Sequence, residues 1–314
     1  MIQIVDTFRA LADPTRLRIV ALLRTMELSV GELAQVLGQS QPRVSRHIRI
    51  LVDAELAVRR KEGSWVFLAP APSKVAVPLF ALLDAAADQE GNHWAKADAA
   101  RLVAVRADRA AAAEQYFAQH AEQWDAIRSL HVADHMVEER MRAMLNTSLG
   151  RLVDIGTGTG RMIELFGESA NHAIGIDRSP EMLRLARTKL DGLDGWELRQ
   201  GDIMSLPLAQ ESADTVILHQ VLHFIPAPEA ALAQVARLLA PSGQLLIADF
   251  APHEREELRT QDAHARLGFS DMQIAQWLTA VGLVLTQTET LEGDELTVKL
   301  WLGTRPAHSK ALAA

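Results

Sequence analysis

The chain has 314 residues, 48% apolar and 23% charged, which suits a globular protein of about two domains and excludes a disordered or fibrous one. It contains no cysteine, so disulfides, thiolate metal sites and cysteine nucleophiles are excluded. The net charge is −8, yet residues 1–64 carry ten Lys/Arg against seven Asp/Glu, a local +3 that leaves −11 for the rest. A basic head on an acidic body points to a local nucleic-acid surface. No apolar run reaches the roughly 18 residues of a membrane span; the stretch 75–87 is broken by Asp84. The opening MIQIVDTFRA lacks the basic and apolar regions of a signal peptide, so a cytoplasmic protein is expected.

In chain order, LADPTRLRIVALL begins a helix that Asp13 caps, with Pro14 at its first position. Ser29 and Glu32 form a capping-box pattern for a second, short helix through Leu37, and Gly38 stops it. Ser40 is expected to cap a third helix, QPRVSRHIRILVDAEL. Two short helices joined around a glycine form a helix-turn-helix pattern. In the third helix Val44, Ile48 and Leu51 follow i, i+4, i+7 spacing and should be buried. Arg46 and Arg49 then point away from that stripe, with Arg43 and Ser45 on its flanks, as phosphate and base-edge contacts require. VRRKEGSWVFLAP reads as two strands around Glu62-Gly63, a basic wing.

Residues 5–70 resemble the ArsR-type winged-helix regulators through ADPTRLRIVALL, SVGELAQVLGQSQPRVSRHIRILVDAELAV and the wing. The resemblance implies a homodimer that presents two recognition helices to double-stranded operator DNA. The expected DNA-facing set is Ser40, Gln41, Arg43, Ser45, Arg46, His47, Arg49, Arg59, Arg60 and Lys61. Many such regulators sense metals through cysteines. None is present here, and no histidine pair has persuasive ligand spacing, so no metal is expected. A winged helix used only for dimerisation is the alternative, and the outward arginines argue against it.

Residues 73–114 read as a helical linker or dimerisation region, Ala-rich over 76–87 and again over 95–130, with a break at Glu90-Gly-Asn92. The run 114–131 holds Tyr116, Phe117, Trp124 and Arg128. It fits helix packing, or a lid over a cofactor in which Trp124 covers the ligand and Arg128 pairs with a carboxylate.

Residues 115–314 read as the body. RLVDIGTGTGRMIELF is strand, glycine turn and helix. Gly156, Gly158 and Gly160 allow close backbone approach to a ligand and free N–H groups for an anionic group. The spacing GxGxG differs from the GxGxxG of dinucleotide binders, which disfavours a nicotinamide enzyme. A second strand ends at Asp177, at a separation that suits ribose hydroxyls. A third precedes Gly201-Asp202, a fourth ends near His219 and a fifth near Asp249. Helices are expected over 179–190, 228–239 and 270–281. This alternation predicts an α/β, doubly wound parallel Rossmann-like sheet. The end differs: LVLTQTETLEG and LTVKLWLGTRP form an antiparallel hairpin connected at Asp294-Glu295.

The body resembles the class I S-adenosylmethionine-dependent methyltransferases through VDIGTGTG, GIDRSPEML, GDIMSLP, ADTVILHQVLHF and PSGQLLIADF. The resemblance implies that Asp154, Gly156, Thr157, Gly158 and Gly160 hold the methionine part of S-adenosylmethionine or S-adenosylhomocysteine. Asp177 would bind the ribose, with Arg178 and Met182 beside the adenine. Gly201, Asp202 and Ile203 would contact the adenine, and His219 would lie beside the sulfonium. Methyl transfer needs mainly alignment, but a hydroxyl or amine acceptor gains from a base. His219 and His223 are the expected bases, with Asp249, His253 and His264 as further candidates. The function implied is a DNA-binding regulator whose methyltransferase body methylates a small molecule, senses the cofactor, or both. The alternative is a dedicated small-molecule methyltransferase.

Overall fold

The computed structural model describes residues 2–62, 65–71, 79–80, 94–105, 120–121 and 133–307, without the side chains of 2–4, 60–65 and 260. Tyr116, Phe117, Trp124, Arg128, the stretch 76–87 apart from Leu79 and Phe80, and the wing tip at Gly63 therefore lie outside the described residues. The chain divides into two units, Met1–Arg109 and Ala110–Ala314. Among the described residues no helix is long and apolar enough to cross a membrane.

In the first unit α1 (Ile2–Leu11) precedes α2 (Pro14–Thr25), whose Arg16 N–H is capped by Asp13 at 3.1 Å. Strand β1 (Leu28–Ser29) leads into α3 (Val30–Leu37). The expected capping box is formed there: the Ser29 N–H donates to Glu32 at 2.8 Å and the Glu32 N–H to Ser29 Oγ at 3.3 Å. Gly38 ends α3 at φ +65°, a conformation that glycine adopts without cost. Helix α4 (Gln41–Asp53) buries Val44, Ile48 and Leu51. Ser40 precedes it but makes no side-chain cap bond, a correction to the expected cap. Pro42 in the first turn has no N–H for a cap to receive.

Strands β2 (Ala57–Glu62) and β3 (Trp65–Pro70) pair antiparallel, and β1 adds a third strand to β3. The two-residue β1 carries too little pattern to be read from sequence. The helical stretch 94–105 belongs to this unit: Asp98, 3% exposed, receives both guanidinium arms of Arg18 at 2.6 and 2.7 Å. Arg101 donates to the Val36 carbonyl at 3.1 Å.

The second unit is a seven-stranded sheet in the order β6-β5-β4-β7-β8-β10-β9. Its chain begins with α5 (Asp134–Met144) and β4 (Gly150–Ile155), then α6 (Arg161–Phe166) and β5 (Ala170–Asp177). Next come α7 (Pro180–Lys189), β6 (Trp196–Gln200) and β7 (Ala213–His219). A 3-10 turn (Leu222–Phe224) and α8 (Pro228–Leu238) lead to β8 (Leu239–Phe250). After α9 (Glu257–Gln261) and α10 (Asp271–Ala280), β9 (Val284–Leu291) and β10 (Val298–Thr304) close the chain.

The strands run parallel except β10, which is antiparallel to both β8 and β9. The expected hairpin thus exists, but its last strand slots between β8 and β9, and its connection is longer than Asp294-Glu295, spanning 292–297. Two apolar clusters hold the unit together, one built on Leu152, Leu246 and Leu300 and the other on Val153, Ile247 and Trp301. Alternating side chains of β4, β8 and β10 supply both, as a sheet covered on its two faces requires. Strand order reverses between β4 and β7, so a crevice is expected outside their carboxyl ends.

Candidate functional site

Two surfaces carry chemistry, one in each unit. In the head, Gln41, Arg43, Ser45, Arg46 and Arg49 are exposed along α4, and Ser40 is exposed just before it. Arg59 is exposed on β2, while the side chains of Arg60 and Lys61 lie outside the description. Arg43, Arg46, Arg49 and Arg59 make no ion pair among the described residues, so their donors are available to an anionic partner. His47 departs from the expectation: its side chain is 14% exposed and Nδ1 lies 3.7 Å from Asp13. Helical rotation explains this, because His47 falls on the side of α4 next to the Ile48 stripe, not opposite it. Burial raises the Asp13 carboxyl, but the Arg16 N–H and the His47 and Arg16 charges outweigh it and hold it low.

In the body the glycine turn follows β4. Gly156, Gly158 and Gly160 have φ of +72°, +52° and +84°. The N–H groups of Gly156 and Thr157 both donate to the Ile176 carbonyl, at 2.7 and 3.0 Å, which ties the turn to β5. A Cβ on Gly156 would sit 2.4 Å from Val221 Cγ2, so packing as well as conformation demands glycine. Asp154 is fully buried on β4 and Thr157 is 6% exposed.

Asp177 ends β5 as expected, and its carboxylate reaches back to the turn. Oδ2 accepts from the Gly158 N–H and Oδ1 from the Ser179 N–H, both at 2.8 Å. Burial pushes this carboxyl above the usual carboxylate range, and the N–H groups of Ser179, Gly158 and Arg178 pull against that rise. Arg178 lies 4.0 Å from Asp202, both about half exposed, and Asp202 Oδ1 accepts the Met204 N–H at 2.9 Å. Met182 and Ile203 are buried, at 2% and 7% exposure. A Cβ on Gly201 would lie 2.9 Å from Pro207. Gly156, Gly158, Gly160, Asp177, Arg178, Gly201 and Asp202 thus share the carboxyl edge of β4, β5 and β6.

The neighbouring edge, at β7 and β8, carries the histidines. His219 ends β7 and is 9% exposed. His223 follows in the 3-10 turn. Its Nδ1 lies 2.8 Å from Asp249 Oδ1, and its backbone N–H donates to Asp249 Oδ2 at 3.3 Å. Asp249 is fully buried and also accepts the Phe250 N–H at 2.8 Å. Asp249 therefore does not act as an independent base; it fixes His223. With Nδ1–H held by a carboxylate, the lone pair of a neutral His223 sits on Nε2. Sequence reading named both residues without joining them, because they are 26 residues apart, one in the 3-10 turn after β7 and the other on β8.

His264 packs on the His223 ring with centroids 4.3 Å apart and stacks on Phe250. Burial, reinforced by His223, Arg255 and Arg259, lowers His253 to about 4, which makes it neutral at physiological pH. Its Nδ1 accepts the Arg255 N–H at 3.3 Å, so Nε2 carries the hydrogen. Among the described residues no group of three or more His, Asp or Glu is arranged to hold a metal.

Residues 13–58 match the family described as bacterial regulatory protein, arsR family, and residues 153–247 match the methyltransferase domain family. An uncharacterised methyltransferase of Geobacillus kaustophilus is 30% identical over 167 residues, covering 50% of this chain and 75% of the relative. The chain belongs to the methyltransferases, and its head is an ArsR-family domain.

The head of this methyltransferase is 48% identical over 63 residues to the arsenical resistance operon repressor of Escherichia coli, covering 20% of the chain and 54% of the repressor. Across the curated relatives of comparable strength the chain spans 29 to 60% of the relative's length. The N-methyltransferase NodS of Bradyrhizobium japonicum, solved with S-adenosyl-L-homocysteine, shares the fold at 18% identity and a TM-score of 0.53, covering 62% of this chain and 98% of NodS.

Proposed function

We propose that this ArsR-headed methyltransferase binds operator DNA as a homodimer, and that its body binds S-adenosylmethionine and methylates a small acceptor carrying a hydroxyl or amine. Cofactor occupancy sets its affinity for DNA. The observation that supports the enzymatic half is the His223–Asp249 pair, in which a buried carboxylate holds the imidazole by Nδ1 as general-base histidines are held.

The residues at the glycine turn fit the cofactor. Gly156, Gly158 and Gly160 leave room for close backbone approach beside Asp154 and Thr157. Asp177 has the charge and position for ribose hydroxyls, and Arg178, Met182, Gly201, Asp202 and Ile203 would surround the adenine. The bound cofactor supplies the methyl group on its sulfonium. His223 accepts the acceptor's proton at Nε2, and Asp249 stabilises the imidazolium that results. His219 lines the same edge at the end of β7, and the role of base is assigned to His223 because Asp249 holds its Nδ1.

The free arginines of α4 support DNA binding and disfavour a head used for dimerisation alone. Val5, Phe8 and Val103, 46%, 52% and 62% exposed, give the head apolar side chains for a second copy to cover.

The test is transfer from labelled S-adenosylmethionine to a panel of phenols and amines, with the wild type, His223→Gln and Asp249→Asn. The wild type should label at least one acceptor. His223→Gln should lower kcat by about 10²- to 10⁴-fold with cofactor affinity intact, and Asp249→Asn should displace the pH profile of kcat. Full activity in both variants would remove His223 as the base. No transfer to any acceptor would leave a cofactor-binding regulator without turnover.

A further inference from the structure

We infer that the ion pair between the buried Glu138 and the partly exposed Arg161 makes helix α5 follow the glycine turn, and is thereby the element that passes cofactor occupancy toward the DNA-binding unit. The inference rests on the regulatory half of the proposal above.

Arg161 is the residue immediately after Gly160, the last glycine of the turn. Its guanidinium grips Glu138 of α5 with both arms, Nε to Oε1 at 2.6 Å and Nη2 to Oε2 at 2.7 Å. Nη1 donates to Glu164 at 2.8 Å, and Glu164 lies 3.5 Å from Lys189 at the end of α7. Four charges thus link α5, α6 and α7 around the turn. The Glu138 partnership is the largest cause of the raised Arg161 pKa.

Two properties make this pair a transmitter. A two-armed carboxylate–guanidinium contact tolerates little displacement, because both hydrogen bonds are directional. Glu138 is 7% exposed, and a carboxylate left there without its partner is strongly unfavourable. A ligand that displaces the turn would displace Arg161, and through the two-armed contact Glu138 with it. The apolar face reinforces the link: Val137, Met141 and Met144 of α5 share one cluster with Met162, Ile163 and Phe166 of α6. In the chain, α5 is the helix reached from the head through residues 106–132. A ligand that favours one position of α5 biases whatever equilibrium that connection controls, by its difference in affinity for the two states.

The experiment measures the affinity of the full-length protein for a DNA fragment carrying its own promoter, with and without saturating S-adenosylhomocysteine. It compares the wild type with Glu138→Gln, Arg161→Lys and the reciprocal double variant Glu138→Arg/Arg161→Glu. Calorimetry gives the S-adenosylhomocysteine affinity of each. The wild type should show a ligand-dependent change in DNA affinity of at least about fivefold. Both single variants should still bind ligand and DNA but change DNA affinity less than twofold on ligand addition, and the double variant should recover much of the coupling. Equal coupling in wild type and single variants overturns this inference and leaves the regulatory reading standing. A wild type that binds ligand without any change in DNA affinity overturns the regulatory reading, and this inference with it. A single variant that has lost ligand binding outright would make the pair part of the cofactor site and also overturn the inference.

Discussion

Arg46 and Arg59 carry the same charge on different elements of the head. Arg46 is exposed on α4 and Arg59 on β2; in the proposed DNA-binding role a guanidinium on α4 would meet base edges and one on β2 the backbone phosphates. Arg46→Ala should weaken operator binding by about 1–3 kcal/mol and relax base preference, while Arg59→Ala should weaken all sequences alike and reduce the salt slope by about 1. Titrations of promoter and scrambled DNA at several salt concentrations check both. Unchanged affinity in both variants would contradict the DNA-reading role of the head.

At this scale the sequence was legible where local pattern decides. The capping box at Ser29 and Glu32 and the acidic end of β5 at Asp177 are short-range features, and both stand where the pattern put them. His47 was not legible, because its proximity to Asp13 depends on how α4 packs beside the start of α2. Asp249 was legible as a candidate base and not as the partner of His223, because their meeting depends on β8 lying beside β7 and the turn that follows it.

At the scale of elements, the glycine turn shows how one position answers two demands. Gly156 needs a positive φ and also leaves space that Val221 fills, with a Cβ at 2.4 Å from its methyl. Gly192 also has a positive φ, +88°, but a Cβ there would meet nothing within 4 Å. Gly192→Ala should therefore cost only the conformational penalty, about 1–2 kcal/mol. Gly156→Ala should cost clearly more and should also abolish S-adenosylhomocysteine binding. Thermal melts and calorimetry of the two variants decide this. Equal melting temperatures would mean that the turn yields around Val221 and that packing there carries no weight.

The turn itself was legible through its three glycines, but not the contact with Val221, which approaches from beyond β7. Likewise the terminal hairpin was legible from the lack of a helix between its strands. The insertion of β10 between β8 and β9 was not, because strand order is a matter of long-range pairing.

At the scale of the whole molecule, a basic ArsR-family head and an acidic methyltransferase body share one chain. The charge split already separated them: +3 over residues 1–64 against −11 beyond. The helical stretch 94–105 was less legible. Its Ala-rich sequence suits a linker, yet Asp98 and Arg101 bind it to α2 and α3 of the head. Joining two such units has a consequence only if their ligands influence each other, and that influence must be reciprocal. The most direct measurement is calorimetric titration of the purified protein with S-adenosylmethionine and with S-adenosylhomocysteine, each with and without promoter DNA. The account predicts that at least one ligand binds more than about fivefold more tightly or more weakly when DNA is present. Identical affinities with and without DNA would contradict it.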